Sequence, residues 1–249
     1  MASQRLLCIT AHPDDEAGGF GGSLLLYESR GVETYVLCLT PGQAASHRGG
    51  YQDDATLAEA RRREFAASCQ LLKVTHGEVL DFPDAGLDRI DLYSTVAQLV
   101  QRVRRIRPHV IVTFGPEGAI TAHPDHSMTS VFATMAYHWA GRTNRYPEQL
   151  QNGLRPWRVQ KLYYATADFT LPDRQPVALP PATATIQIGE HFETKIRAFK
   201  SHTTQQPLFS LFETNVRRRG RVEMFHLAAS VQAGPIHHET DLFEGVETD

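Results

Sequence analysis

The sequence contains few cysteines and almost no excess charge, and each shortage excludes a class of protein. Its three cysteines are Cys8, Cys38 and Cys69. They are odd in number, lie in apolar runs and form no CxxC pair, which argues against a disulfide framework and against a zinc knuckle. Reduced, buried thiols and a cytoplasmic location are the simplest interpretation. The net charge of −3 gives no reason to expect a nucleic-acid partner or an anionic membrane surface.

Long hydrophobic runs are also absent from the sequence. No apolar stretch approaches the ~20 residues that span a bilayer, so membrane insertion is not expected. The segment Met1–Ala11 has one basic residue and a short apolar run, which does not fit a signal peptide. A hydrophobic fraction of 41% over 249 residues is enough for a sizeable core. With neither an internal repeat nor a clear linker, we expect a single domain over residues 1–249 that becomes more irregular from about residue 171.

Short apolar runs alternate along the chain with segments of helical periodicity. The predicted strands are Arg5–Thr10, Thr34–Leu39, Glu78–Leu80, His109–Phe114 and Lys161–Tyr164. The predicted helices are Ser23–Ser29, Thr56–Leu72, Asp91–Arg105, Asp125–Trp139 and one near Glu190–Lys200. This rhythm is typical of βαβ units. It predicts an α/β fold with a Rossmann-like, doubly wound and mostly parallel sheet of strand order 3-2-1-4-5, helices on both faces and a C-terminal extension.

The regular alternation ends near residue 171. A proline-rich stretch, Leu171–Pro181, follows, and a hairpin is indicated around Arg217–Leu227. The basic run Arg217–Arg221 is typical of a solvated turn, with an anionic substrate or a neighbouring subunit as the alternative contact. The last thirteen residues carry five acidic residues and no Lys or Arg, which is typical of a solvated tail.

Two clusters of histidine and aspartate lie beyond the ends of predicted strands. His12–Glu16 (HPDDE) follows the first strand and His123–His126 (HPDH) follows the fourth. In a doubly wound sheet of this order the two strands are neighbours, and they flank the point where the winding reverses and where ligands bind. We therefore expect the two clusters to meet in space, although about 110 residues separate them.

Imidazole and carboxylate groups together suit a divalent transition metal. A catalytic zinc ion needs three protein ligands and an open position for water, and His12, Asp15 and one histidine of the second cluster supply three. Asp14 is then left beside the metal, where a general base deprotonates the bound water. The spare histidine of the second cluster is expected to polarise a carbonyl or to protonate a leaving group. Asp125 is expected to hold the other nitrogen of that imidazole.

Four other interpretations are open from the residues alone. The clusters also fit a polar turn network that caps two helices. Two histidines and one carboxylate form the facial triad of non-haem iron(II) oxygenases as well, although the spare Asp14 favours hydrolysis and the α/β pattern fits such oxygenases poorly. Gly18–Gly22 is glycine-rich, but it is not GxGxxG and argues only weakly for a nucleotide-binding module. A non-catalytic binding protein that keeps the metal site for structure is the last alternative.

The sequence resembles the PIG-L (LmbE-like) N-acetylglucosaminyl de-N-acetylase family along most of its length. The two specific motifs are AHPDDE at Ala11–Glu16 and HPDH at His123–His126. Weaker fragments that also match are Thr40–Gln43, Arg61 with Glu64, Pro83–Asp84, Arg107–Pro108, and Lys195 with Ala198, His202 and Gln205.

The resemblance implies a role for the residues of both clusters. The implied zinc ligands are His12, Asp15 and His126. Asp14 is implied as the general base, and His123 as the residue that stabilises the tetrahedral oxyanion or protonates the amine. The implied contacts to the sugar or its aglycone are Arg61 and Asp84. Their structural alternatives are an intrahelical pair of Arg61 with Glu64 and a simple turn after Pro83.

The function that the resemblance implies is a metal-dependent hydrolase that removes the acetyl group from an N-acetylated amino sugar or its conjugate. Zn²⁺ is the implied cofactor and Fe²⁺ the alternative. In the expected mechanism the metal activates a water, Asp14 takes its proton and His123 stabilises the oxyanion. A small N-acetylated sugar is the expected partner, and the resemblance favours a homo-oligomer with its interface in the late proline-rich and hairpin segment. One departure is Pro116–Ala122, which is more apolar than the glycine-rich segment expected before HPDH and bears on substrate shape.

Overall fold

The computed structural model describes residues 3–171 and 175–248, apart from the side chain of Arg219. Within these residues the strands are β1 (Arg5–Thr10), β2 (Glu33–Cys38), β3 (His76–Val79), β4 (Val110–Phe114), β5 (Lys161–Thr166), β6 (Ala184–Gln187) and β7 (Val222–Ser230). The α-helices are α1 (Asp15–Ser29), α2 (Asp54–Leu71), α3 (Leu92–Ile106), α4 (Pro124–Ala140), α5 (Pro147–Gln151), α6 (Phe192–Lys200) and α7 (Phe209–Arg219). Residues 172–174 of the predicted proline-rich stretch lie outside the described residues, and residues 175–183 form neither helix nor strand.

The order of the strands confirms the predicted topology and extends it. The sheet runs β3-β2-β1-β4-β5-β7-β6. The first five strands in this order pair in parallel, with β1 between β2 and β4. β7 and β6 then add two antiparallel strands at the β5 edge. Because the winding reverses between β1 and β4, the carboxyl ends of these two strands form the crevice where ligands bind in such folds.

The hydrophobic core lies on both faces of the sheet, since successive residues of β1 point to opposite sides. Leu6 and Cys8 pack with side chains of α1, α2 and α6 on one face. Leu7 and Ile9 pack with α3 and α4 on the other face. Among the described helices, none has both the length and the apolar composition needed to cross a membrane.

Capping contacts fix where the helices beside the crevice begin. Asp53 accepts a hydrogen bond from the N–H of Thr56 at 2.9 Å and starts α2. Nδ1 of His123 accepts a hydrogen bond from the N–H of Asp125 at 3.2 Å, and Pro124 occupies the first turn of α4. The first histidine of the HPDH cluster therefore also defines the start of α4.

The first helix is longer than predicted, because α1 begins at Asp15 rather than near Ser23 and includes the glycine-rich segment Gly18–Gly22. Glycine weakens an isolated helix, but packing requires it here. A Cβ atom at Gly22 would lie 2.5 Å from Cδ1 of Ile188. The glycines thus permit a close approach of α1 to the C-terminal half of the chain, which the local pattern does not reveal.

The hairpin predicted around Arg217–Leu227 is wrong. Arg217 lies in α7, and β7 pairs with β5 and β6, which both precede α7 in the chain. The basic run therefore closes a helix, where Arg217 pairs with Glu193 and Glu213. The sequence misleads because Gly220, with a φ of 85°, terminates a helix as readily as it turns a hairpin.

The acidic C-terminal segment is not a solvated tail, contrary to the prediction. Leu242 is fully buried and Phe243 is 8% exposed. Glu239 is also buried and accepts a hydrogen bond from Nζ of Lys161 at 2.5 Å, and the hydroxyl of Tyr163 donates to the same carboxylate. The apolar pair and the buried ion pair, rather than the net charge of the segment, decide its position.

Replacing Glu239 with alanine is expected to lower the free energy of unfolding by about 3–5 kcal/mol, because Lys161 is then left as an uncompensated buried charge. Glu247→Ala removes an exposed carboxylate of the same segment and is expected to change the free energy by less than about 0.5 kcal/mol. Urea unfolding followed by circular dichroism measures both variants. Equal stabilities would contradict a structural role for the buried pair.

Candidate active site

The two polar clusters meet at the carboxyl ends of β1 and β4. The ring centroids of His12 and His126 are 5.4 Å apart, and those of His12 and His123 are 4.8 Å apart. Each of the three histidines offers a nitrogen within 4.8 Å of the others. The adjacency of two parallel strands thus brings together side chains that lie far apart in the sequence.

Asp15 joins the two clusters through its carboxylate oxygens. Oδ2 accepts hydrogen bonds from the N–H groups of His12 at 2.8 Å and Ala11 at 3.2 Å, and it lies 3.5 Å from Nδ1 of His12. Oδ1 lies 3.2 Å from Nε2 of His126. Burial raises the pKa of Asp15, but the two histidines outweigh burial and hold the pKa well below its usual range. The turn after β1 therefore fixes an ionised carboxylate between one histidine of each cluster.

The hydroxyl of Thr121 decides which nitrogen of His126 carries a proton. It donates to the carbonyl of Gly118 at 3.2 Å, so it accepts from Nδ1–H of His126 at 3.2 Å. In the neutral imidazole Nε2 then has only a lone pair, and this lone pair faces Oδ1 of Asp15. Two acceptors at this distance repel one another unless a cation or a proton lies between them.

His12 is oriented by two carboxylates. Its Nε2 lies 3.1 Å from Oδ1 of Asp84 and 3.3 Å from Oδ2 of Asp125, so Nε2 carries a proton. Burial lowers the pKa of His12, but the carboxylates of Asp125, Asp15 and Asp84 outweigh burial and raise the pKa well above its usual value. Nδ1 is therefore the nitrogen at which a cation would replace a proton. Metal-bound histidines commonly donate their second N–H to a carboxylate in this way.

The distances between the donor atoms also suit a metal ion. Ligand atoms of a tetrahedral ion with bonds of about 2.1 Å lie about 3.4 Å apart. Oδ2 of Asp15 lies 3.5 Å from Nδ1 of His12, and Oδ1 of Asp15 lies 3.2 Å from Nε2 of His126, so each oxygen is close to that spacing from one nitrogen. The three side chains therefore fit a divalent cation.

Asp14 lies beside these donors in a strained backbone conformation. Its φ of 117° falls in the region that favours glycine, and its N–H donates to Oε2 of Glu16 at 3.0 Å. Its carboxylate lies 3.2 Å from Nη2 of Arg61. Burial raises the pKa of Asp14 to about 6, although the charge of Arg61 opposes the shift. A carboxyl group with a pKa near neutrality suits general base chemistry.

Arg61 is buried beneath this turn, at 3% exposure, and is not paired with Glu64. Its guanidinium donates to the carbonyl of Gly42 at 2.9 Å, to the carbonyl of Pro13 and to the carboxylate of Asp14. Gly42 has a φ of 69°, and a Cβ atom there would lie 2.3 Å from Nη1 of Arg61. Arg61 therefore holds the backbone and the side chain of Asp14, and its contact with the sugar stays a prediction.

Asp84 is placed against His12 rather than in an open turn. Its side chain is 6% exposed, and its Oδ2 accepts a hydrogen bond from the N–H of Ala44 at 2.7 Å. The contact with the sugar that the resemblance implies for Asp84 also stays a prediction, and the structure adds an orienting contact to His12.

The expected contact between Asp125 and the spare imidazole is wrong. The carboxylate of Asp125 accepts from the N–H groups of Ala85 at 2.7 Å and Leu87 at 3.2 Å and contacts His12. His123 instead accepts the backbone N–H of Asp125 at Nδ1. The reason is the start of α4, which turns the Asp125 side chain away from His123 and toward the β1 cluster. Burial lowers the pKa of His123 and favours its neutral form.

A buried network that the sequence did not predict lies beneath the cluster. Glu16 is fully buried and accepts hydrogen bonds from Oγ of Ser68 at 2.5 Å and from Nε2 of His202 at 2.7 Å. Its other oxygen holds the N–H of Asp14. Glu16 belongs to the AHPDDE motif and His202 to a weaker match, but neither match indicates that the two side chains pair beneath the cluster. Thr121 gave no signal, because its role depends on how the turn before α4 folds.

A comparison with protein families identifies the two clusters. The model of the PIG-L family, described as GlcNAc-PI de-N-acetylase, matches residues 7–137, which is more than half of the chain. The chain belongs to the PIG-L family. The prediction made from the AHPDDE and HPDH motifs is therefore confirmed, and the PIG-L match includes both clusters.

Individual proteins are also similar to this PIG-L chain over most of its length. The 1D-myo-inositol 2-acetamido-2-deoxy-alpha-D-glucopyranoside deacetylase of Thermobispora bispora is 29% identical, with 99% of this chain and 100% of the relative covered. The structure of N,N'-diacetylchitobiose deacetylase from Pyrococcus horikoshii matches with a TM-score of 0.77 at 22% identity, covering 90% of this chain and 84% of that one. The structure of the 4-carboxy-2-hydroxymuconate hydratase from Pseudomonas putida matches with a TM-score of 0.71 at 19% identity, covering 93% and 99%.

These similarities differ in what they establish. The two structures share the fold, and the hydratase indicates that the fold alone does not fix the reaction. The family match and the deacetylase relative support the predicted hydrolytic deacetylation, and they do not favour the iron(II) oxygenase alternative.

Proposed function

We propose that this PIG-L protein is a divalent-metal-dependent deacetylase that releases acetate from an N-acetylated amino sugar or its conjugate. The observation that carries the proposal is the position of the Asp15 oxygens, 3.5 Å from His12 and 3.2 Å from His126, with Asp14 beside this set. A spare carboxylate at such a site favours hydrolysis over the oxygen chemistry of a facial triad. Zn²⁺ is the proposed ion and Fe²⁺ the alternative, since histidine and carboxylate ligands accept both.

The residues that would hold the ion are His12, Asp15 and His126. A bound divalent cation lowers the pKa of a water ligand and polarises the substrate carbonyl. Hydrogen bonds hold a proton of each histidine on the nitrogen that faces away from the proposed ion. Thr121 does so for His126, and Asp84 and Asp125 do so for His12. Little rearrangement is then needed when the cation binds.

Asp14 and His123 are proposed to move the protons. Asp14 takes a proton from the attacking water and returns it to the amide nitrogen as the C–N bond breaks. Nδ1 of His123 accepts the N–H of Asp125, so the proton of this ring lies on Nε2. His123 is only half-buried, which leaves this N–H accessible to the oxyanion of the tetrahedral intermediate. Acetate and a free amine are the products.

Arg61 offers a test that separates positioning from substrate contact. Its hydrogen bonds to Asp14 and to two backbone carbonyls support a positioning role. We expect Arg61→Lys to lower kcat about 10- to 100-fold with less than about a threefold change in KM, because lysine cannot make the forked contacts. Steady-state kinetics measures the split, with Arg62→Lys at the adjacent position of α2 as the control. A raised KM with an unchanged kcat would assign Arg61 to the substrate instead.

The proposed function is tested with a panel of N-acetylated amino sugars and their conjugates, incubated with the Zn²⁺-loaded or Fe²⁺-loaded protein. We expect equimolar acetate and primary amine, lost on chelation with EDTA and restored by the metal. Oxygen consumption without acetate would favour the oxygenase and contradict the proposal. Metal binding without either reaction would favour a non-catalytic binding protein.

A cytoplasmic location and a homo-oligomeric state complete the proposal. The location is supported by three buried cysteines without disulfides, which suit a reducing compartment. The oligomeric state is supported by the family resemblance, and light scattering coupled to size-exclusion chromatography tests it.

A further inference from the structure

A mostly apolar chamber opens beside the candidate metal site. It has a volume of about 260 Å³ and is bordered by Asp14, Asp15 and His126. Its walls come from α1, α6, α7, β5 and β7. Its apolar lining includes Phe114, Phe199, Leu208, Phe212, Val216 and Met224. The proposed metal ligands and proton transfers make no use of this space.

Part of the hydrogen-bonding set of the site lies on a different flank. Asp84 and Asp125 contact His12, and neither is among the described residues that line the chamber. The ring of Phe114 stacks on His126, with centroids 4.0 Å apart, and begins the apolar wall. The site therefore has a polar flank beside His12 and an apolar flank beside His126.

Each charged side chain that lines the chamber either forms an ion pair or is one of the candidate active-site residues. Nζ of Lys195 donates to Oε1 of Glu223 at 2.5 Å. Apart from this lysine, Asp14, Asp15 and His126, the described lining residues carry no titratable side chain. The departure from the family pattern at 116–122 adds to the apolar character, because Ala119 and Ile120 are part of the wall.

We infer that the site also hydrolyses amino sugars whose N-acyl chain is longer than acetyl, with the chain in the chamber and the amino sugar on the polar flank. The inference rests on the proposed amide hydrolysis at the same site. An acetyl group ends in one methyl, about the size of a water molecule at ~30 Å³, and leaves most of the chamber unfilled. Sugar hydroxyls would lose their hydrogen bonds to water among apolar walls, whereas a saturated chain gains from burial.

Gly19 on α1 allows the chamber to be narrowed by a single substitution. It lines the chamber, and a Cβ atom at this position would have no heavy atom within 4 Å. Gly19→Leu therefore directs a side chain into open space, and leucine also favours the helix. Thr214→Leu is the matched control, because Thr214 is exposed on α7 and is not among the described lining residues.

The test uses glucosamines N-acylated with acetyl, butanoyl, hexanoyl and decanoyl groups on the metal-loaded protein. We expect kcat/KM to rise about 80- to 250-fold from acetyl to hexanoyl, since each of the four added methylenes contributes about threefold to fourfold when it is fully buried. Gly19→Leu is expected to lower the hexanoyl-to-acetyl ratio at least about tenfold, and Thr214→Leu to leave it unchanged. Calorimetric binding of the same series to the Asp14→Asn variant should give the same order of Kd without turnover.

The outcomes separate this inference from the proposed function. Hydrolysis of the acetyl compound, with weaker binding and lower kcat/KM for every longer chain, would overturn the inference and leave the deacetylase standing. A gain with alkyl glycosides of N-acetylglucosamine but not with longer acyl groups would also overturn it, because the chamber would then hold the aglycone. Tighter binding with chain length but no amide hydrolysis would support the acyl chamber and overturn the proposed reaction.

Discussion

Asp14→Asn is expected to bind the divalent cation as tightly as the unsubstituted protein and to lower kcat about 10²- to 10⁴-fold. Asparagine keeps the shape of the side chain and can still accept a hydrogen bond from Arg61, so the turn after β1 is retained. An amide is not a base near neutrality and cannot take the proton of the attacking water. The substitution is therefore expected to lower kcat and to leave cation binding unchanged, because Asp14 is not one of the residues proposed to hold the ion.

Metal content and turnover are measured on one preparation of this variant. Inductively coupled plasma mass spectrometry gives the bound ion, and amine release gives kcat. Asp88→Asn is the matched control, since its carboxylate is 59% exposed. Hydrolysis at the parent rate would show that Asp14 is not the base, and loss of the ion would move Asp14 into the ligand set.

The meeting of the two motifs could be predicted because it depends on topology and not on side-chain detail. Arg5–Thr10 and the run that ends at Phe114 are apolar on both faces, as strands of a parallel sheet must be. Once such strands are neighbours, the residues that follow them emerge at the same edge of the sheet. The observed register places Leu6 of β1 opposite Val110 of β4, and this alignment sets where the two strand ends lie relative to each other.

The features that the sequence did not predict all depend on contacts between distant segments. Thr121 orients His126 only because the connection between β4 and α4 folds back on itself. In the sequence alone, the glycines of α1 indicate a turn. The packing of Ile188 on Gly22 explains why they lie in a helix instead. The C-terminal segment is acidic by composition, yet Leu242 anchors it in the core. Local periodicity contains no information on such contacts.

His126→Ala is expected to lose the bound cation and nearly all activity. A catalytic metal site needs three protein ligands, and this variant keeps only His12 and Asp15 of the proposed set. His138→Ala removes an exposed histidine near the end of the same helix and is expected to retain both properties. Metal analysis after gel filtration measures the difference.

Thr121→Val separates the orientation of His126 from its ligation. Valine keeps the shape of threonine but lacks the oxygen that accepts from Nδ1, so the Nε2 lone pair is no longer held toward Asp15. Affinity for Zn²⁺, measured by competition with a chromophoric chelator, is expected to fall about 10- to 100-fold while binding stays stoichiometric. An unchanged affinity would mean that Thr121 does not set the tautomer. Stoichiometric metal in His126→Ala would remove His126 from the ligands and would leave His123 as the histidine of the second cluster that could hold the ion.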